Sequence, residues 1–109
     1  MGREGPGRRP GGQPCHPDPT LTDDDLTELL RALAHEERRR LLRACLAAPQ
    51  AAGDLVAASD LTGPSVSEHL KVLRKTGLLI LERDGRFRRY RTNPELLRTI
   101  AAAVGDLGD

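Results

Sequence analysis

Two stretches of the chain hold most of the side chains that could act on a ligand. The first is Thr62-Gly63-Pro64-Ser65-Val66-Ser67-Glu68-His69-Leu70-Lys71-Val72-Leu73-Arg74-Lys75. At helical spacing, Ser65, Ser67, Glu68, Lys71, Arg74 and Lys75 share one side, while Val66, Leu70 and Leu73, joined by His69, form the other. The second is the arginine-rich segment around Asp84-Gly85, with Arg83, Arg86, Arg88, Arg89 and Arg91. Short hydroxyl side chains let a backbone come close to a hydrogen-bonding surface, and guanidinium and ammonium groups form charge-assisted bonds to phosphate. Residues 60–92 carry net charge +4 in a chain of net +1, whereas residues 21–34 carry net −3 from Asp23, Asp24, Asp25 and Glu28 against Arg31. Segregation of this kind suits a surface that meets a polyanion. On charge alone, a solvated basic face with no partner explains the pattern equally well.

Other chemistries lack their residues. There is no Ser-His-Asp set, no glycine-rich phosphate loop and no pair of carboxylates placed in a predicted cleft, so an enzyme is not expected. Asp23, Asp24 and Asp25 are explained by the dipole at a helix start. The two cysteines, Cys15 and Cys45, make no disulfide framework. No run of 18 apolar residues exists and the N-terminus has no apolar signal segment, so the expected setting is cytoplasmic and reducing, away from membranes.

The positioning elements follow from caps and periods. With 109 residues a single domain is expected, and 38% hydrophobic against 2% aromatic residues implies a core of Leu, Val, Ile and Ala built mainly by helices. Residues 1–20 are rich in Pro and Gly and read as a disordered arm; Arg3, Arg8 and Arg9 in it read as part of a plain tail rather than as phosphate contacts. Thr22 caps a first helix over residues 23–34, with Leu26, Leu29, Leu30 and Leu33 as one stripe that could enter the chain's own core or meet a second copy. A second helix begins at His35-Glu36-Glu37, turns Leu41, Leu42, Cys45 and Leu46 inward and stops at Pro49. A third spans about residues 51–58, with Leu55 and Val56, and residues 59–63 form a turn. Thr62 caps a fourth helix, with Pro64 in its first turn and Gly77 after its end. Residues 78–83 and 86–92 then read as strands flanking Asp84-Gly85, a strong hairpin signal. Asn93 caps a last helix with Leu96, Leu97, Ile100, Ala101 and Val104 on its apolar side, ended by Gly105. Residues 21–105 would thus form the domain and 106–109 a flexible tail.

The expected fold is mainly α with a β-hairpin wing, in the order α-α-α-α-β-β-α: a winged helix-turn-helix. A helix fits the major groove of duplex DNA, about 12 Å wide, and a basic hairpin fits the flanking phosphates or minor groove. The chain resembles the ArsR/SmtB family of bacterial transcriptional regulators through Leu33-Ala34-His35-Glu36-Glu37-Arg38, the run from Leu61 to Leu73, Gly77-Leu78-Leu79, and Asp84-Gly85-Arg86-Phe87-Arg88-Arg89-Tyr90-Arg91. The combination is specific where each piece alone would be weak, and it covers about residues 24–104.

The resemblance implies a homodimer joined through its first and last helices, by Leu26, Leu29, Leu30, Leu33, Leu96, Leu97, Ile100 and Val104, on an imperfect palindrome. It implies DNA contacts from Thr62, Gly63, Ser65, Ser67, Glu68, His69, Lys71, Arg74 and Lys75, with Arg86 and Arg88 in the wing. For His69 a packed structural role is at least as well supported as a DNA contact. Repression is the family default, and activation depends on operator position.

The family's usual sites for metal-responsive regulation are missing. Where one site has a C-x-C pattern on the third helix, this chain has Ala51 and Gly53, and the last helix contains no histidine. Cys15 and His16, with Asp18, are weak candidates for Ni²⁺ or Zn²⁺, read as incidental because ordering a loose arm costs entropy. Cys45 reads as a small core residue. No cofactor is required, and the signal could come from an organic effector or a sensor protein partner, or there could be none. A winged-helix protein-interaction module, with the acidic first helix as its docking face, is the alternative to DNA binding.

Overall fold

The computed structural model describes residues 21–108. The N-terminal arm, Cys15, His16 and the arginines before them lie outside the described residues. The element order is α1 (Asp23–Leu33), α2 (Glu36–Ala47), α3 (Ala52–Ala57), α4 (Gly63–Lys75), β1 (Leu79–Asp84), β2 (Phe87–Thr92) and α5 (Pro94–Asp106). This is the expected winged helix-turn-helix order.

The caps act as their residue types dictate. The Thr22 hydroxyl accepts from the Asp25 amide at 3.0 Å while the Asp25 carboxylate accepts from the Thr22 amide at 3.3 Å, closing a capping box. Asn93 Oδ1 accepts from the Leu96 amide at 3.2 Å, and Pro94 opens α5 where its missing N–H costs nothing. Gly77, at φ +88°, turns the chain out of α4, and a Cβ there would stand 3.4 Å from a Leu96 methyl.

The core is Leu29, Ala32, Leu41, Leu42, Cys45, Leu55, Val66, Leu70, Leu73, Leu78, Leu79 and Ile100. It lies where α1, α2, α3, α4 and α5 meet the base of the hairpin. Thr92 is the buried polar side chain, and it is satisfied: its hydroxyl donates to the Leu42 carbonyl at 2.7 Å. That bond fixes β2 to α2. The Gln50 and Tyr90 backbones exchange two more bonds, at 3.0 and 2.7 Å, so the hairpin gains a third, single-residue rung before α3.

Four expectations need correction. Leu46 is 55% exposed rather than inward: it sits in the last turn of α2, beside a shallow apolar recess shared with Leu33, Leu42 and Leu97. Leu29 and Ile100 lie inside the chain's own core, so they are not free interface residues. Ala101 is exposed because Ile100 and the half-buried Leu96 and Leu97 face the core instead. Gly105 does not end α5, which continues to Asp106; a single helical glycine costs about 1 kcal/mol and does not forbid the turn.

Candidate nucleic-acid interface

Helix α4 is placed by its buried side and started by its cap. Val66, Leu70 and Leu73 are at most 3% exposed and lock the rotation of the helix about its axis. The Thr62 hydroxyl accepts from the Ser65 amide at 3.2 Å and donates to the Ser65 hydroxyl at 3.1 Å. In the preceding turn the Ser59 hydroxyl accepts from the Leu61 amide at 3.2 Å, so the connection from α3 is bonded at both ends.

This rotation leaves Ser67, Glu68, Lys71, Arg74 and Lys75 exposed on one side. Thr62 is exposed at the helix start, with Gly63 and Ser65 half-buried beside it. Ser67, Lys71, Arg74 and Lys75 line an open groove of about 440 Å³ together with Ala52, Leu70 and Tyr90. Tyr90 is a member that sequence reasoning missed. It belongs to β2, where its backbone also bridges Gln50.

The hairpin is anchored at one end and basic along its length. Gly85, at φ +64°, and Arg86 form the loop between the paired residues Asp84 and Phe87. Arg91 donates to Glu82 at 2.8 Å, and Arg89 lies 3.9 Å from Asp84 and stacks over Phe87 at 5.7 Å. Among the described residues Arg83, Arg86 and Arg88 enter no ion pair. Arg83 and Arg88 are direct cross-strand partners, both exposed. Like charges opposite one another destabilise a hairpin, and a polyanion would relieve that cost. Arg83 therefore joins Arg86 and Arg88 as a candidate contact; its place opposite Arg88 could have been read from the two-residue loop.

His69 is placed differently from its neighbours. Arg38 Nε donates to His69 Nδ1 at 3.1 Å, and the His35 ring lies 6.2 Å away between centroids. Half-buried at the junction of α2 and α4, it serves the packing role and not the exposed side. Its pKa is lowered, first by burial and then by the Arg38 and His35 charges, with Glu37 and Glu68 acting the other way. The unfolded imidazole, near 6.5, therefore takes up a proton at higher pH than the folded one. Stability is fully present above about pH 6.5 and is lost as pH falls through the lower folded value. Urea unfolding between pH 7.5 and 5 should show this fall, and His69→Gln should flatten it.

The metal question concerns few residues. Among the described residues no three His, Cys, Asp or Glu side chains gather into a group that could hold a metal ion. Ala51 and Gly53 flank the start of α3 and supply no ligand. The Cys45 thiol is 0% exposed, and burial pushes its pKa up to about 11, so it is inert core. No helix among the described residues is long and apolar enough to cross a membrane.

Known proteins share this arrangement. A family profile described as a helix-turn-helix domain matches residues 33–82. The transcriptional repressor SmtB of Mycobacterium tuberculosis is 34% identical over 94 residues, spanning 85% of this chain and 70% of that protein. The transcriptional regulator CmtR of Mycobacterium bovis is 38% identical over 87 residues, spanning 80% and 71%. An ArsR-like transcriptional regulator from Rhodococcus sp. RHA1 superposes with TM-score 0.73 at 27% identity, covering 78% of this chain and 80% of that one. With a helix-turn-helix profile matched, identity of 34–38% over at least 80% of its length and a shared overall fold, the chain belongs to the ArsR/SmtB family of winged helix-turn-helix transcriptional regulators, which bind DNA and are not enzymes.

Proposed function

We propose that the chain binds an imperfectly palindromic operator as a homodimer, one α4 in each of two successive major grooves, and represses the promoter it overlaps. The observation that carries this reading is the exposure of Lys71, Arg74 and Lys75 along one side of α4, together with the exposed wing arginines Arg83, Arg86 and Arg88, which enter no ion pair among the described residues. Ser67 and Thr62, at the start of that side, are short enough to let the helix reach base edges, while the cations reach phosphates. Two-fold pairing is supported by apolar residues left exposed on α1 and α5, Leu30 at 41% and Val104 at 42%, flanked by the half-buried Leu26, Leu33 and Leu97. Repression follows the relative SmtB and the simple exclusion of polymerase from an occupied site. The reading requires no cofactor.

The test is a footprint on DNA flanking the chain's own gene, followed by affinity measured against salt. If Lys71, Arg74, Arg83 and Arg88 of each protomer each neutralise a phosphate, the log–log slope for a dimer should be about −7, from roughly −0.9 per contact. Failure to bind any promoter fragment at low ionic strength, or a slope near zero, would favour a protein-interaction module.

A further inference from the structure

Next to the groove around α4, and sharing Lys75 with it, a recess of about 560 Å³ opens between α1, α2, α4 and the start of α5. We propose that it binds a small amphipathic organic carboxylate, and that this ligand weakens operator binding. The proposal rests on the DNA-binding reading only for its second half.

The volume falls in the range of small-molecule sites, a few hundred to about 1,000 Å³. Its floor is apolar: Leu21, Leu29, Ala32, Val72 and Leu96. Its charged lining is Asp25, Glu28, Arg31, Arg38 and Lys75. Two of these charges pair with one another, and two more are held by hydrogen bonds to uncharged groups. Asp25 closes the α1 capping box, Glu28 and Arg31 pair at 3.1 Å, and Arg38 donates to His69. Asp25, Arg38 and Lys75 enter no ion pair among the described residues, which leaves an excess of positive charge, and of the two cations Lys75 alone makes no side-chain hydrogen bond there. An apolar body over the leucines with one carboxylate on the Lys75 ammonium satisfies both parts of the lining. A cation would meet Arg38 and Lys75 unfavourably, with only Asp25 to set against them.

The coupling follows from where the lining sits. Lys75 also borders the groove on the DNA side of α4. A carboxylate that draws its ammonium toward the recess removes a cation from the phosphate-facing set. Val72 sits on the same helix and Thr76 caps its end, so a ligand wedged against α1 also biases how α4 lies on the chain. Linkage makes the effect reciprocal: operator DNA should weaken carboxylate binding by the same factor.

The probes are sodium 2-naphthoate and sodium octanoate, with octylammonium and octanol as charge controls, titrated into the full-length protein by calorimetry and by ¹H–¹⁵N spectra. The expected result is one saturable site per chain for the carboxylates, with amide shifts centred on Leu29, Val72 and Leu96. The controls should bind at least tenfold more weakly, and Lys75→Gln should cost the carboxylates at least tenfold. Absence of saturable binding, shifts centred elsewhere, or affinity indifferent to Lys75→Gln would overturn the site. Binding as expected, with operator affinity unchanged by saturating naphthoate, would overturn the coupling. Failure to bind DNA without ligand would count against the operator reading and leave the calorimetric result standing.

Discussion

Lys71→Glu should weaken operator binding at least about 30-fold while the chain stays folded. Lys71 is exposed in the middle of α4 and makes no ion pair among the described residues. Glu and Lys have nearly equal helix propensity, so the thermal midpoint should move little. The DNA cost is much larger. A charge-assisted contact contributes about 1–3 kcal/mol, reversal adds repulsion from the same phosphate, and a symmetric dimer suffers the loss twice. The sum of about 2–6 kcal/mol corresponds to roughly 30-fold to 10⁴-fold weaker binding. Ser67→Glu, one turn earlier on the same side, should act similarly by placing a carboxylate against the groove floor. Gel-shift titration with circular dichroism measures both quantities. Native affinity in folded Lys71→Glu would mean that α4 does not face DNA.

The side of α4 that carries this prediction was legible in the sequence because helical period and cap chemistry are local. Thr22, Thr62 and Asn93 each cap the helix expected of them, and Asp84-Gly85 marks the hairpin. What stayed hidden depends on contacts between distant residues. Gln50 pairs with Tyr90 as an isolated rung, and a single residue has no period to read. Arg38 and His69 are 31 positions apart, so nothing near His69 signals that its ring nitrogen is already engaged. Leu46 continues the apolar spacing of α2, yet in the last turn of that helix it is left exposed. Gly105 carries a stop signal that the next residues override by continuing the helical bonds. Apart from the exposed Gly105, these outcomes were decided by contacts between residues far apart in the chain.

The leucine stripe of α1 shows the same division and yields the other large effect. Leu29 and Leu30 are adjacent, about 100° apart around the helix, and are 4% and 41% exposed. Leu29 packs in the core with Ala32 and Ile100. Leu29→Glu would bury a carboxylate with no partner, at a cost of the order of 4 kcal/mol or more, against a typical domain stability of about 5–15 kcal/mol. It should leave much of the chain unfolded. Leu30→Glu keeps its carboxylate in water within one protomer, so the chain should fold with near-native ellipticity. In the proposed dimer the same carboxylate meets the apolar side of the second copy, and with Val104→Glu it should drive sedimentation to the monomer. Operator affinity should then fall by about 10²- to 10⁴-fold, because two half-sites are no longer bound by one linked particle. A folded, dimeric Leu30→Glu/Val104→Glu variant with native operator affinity would place the two-fold contact elsewhere. A well-folded Leu29→Glu variant that is monomeric would show that Leu29 belongs to the interface after all, and that its burial in one chain was not the decisive fact.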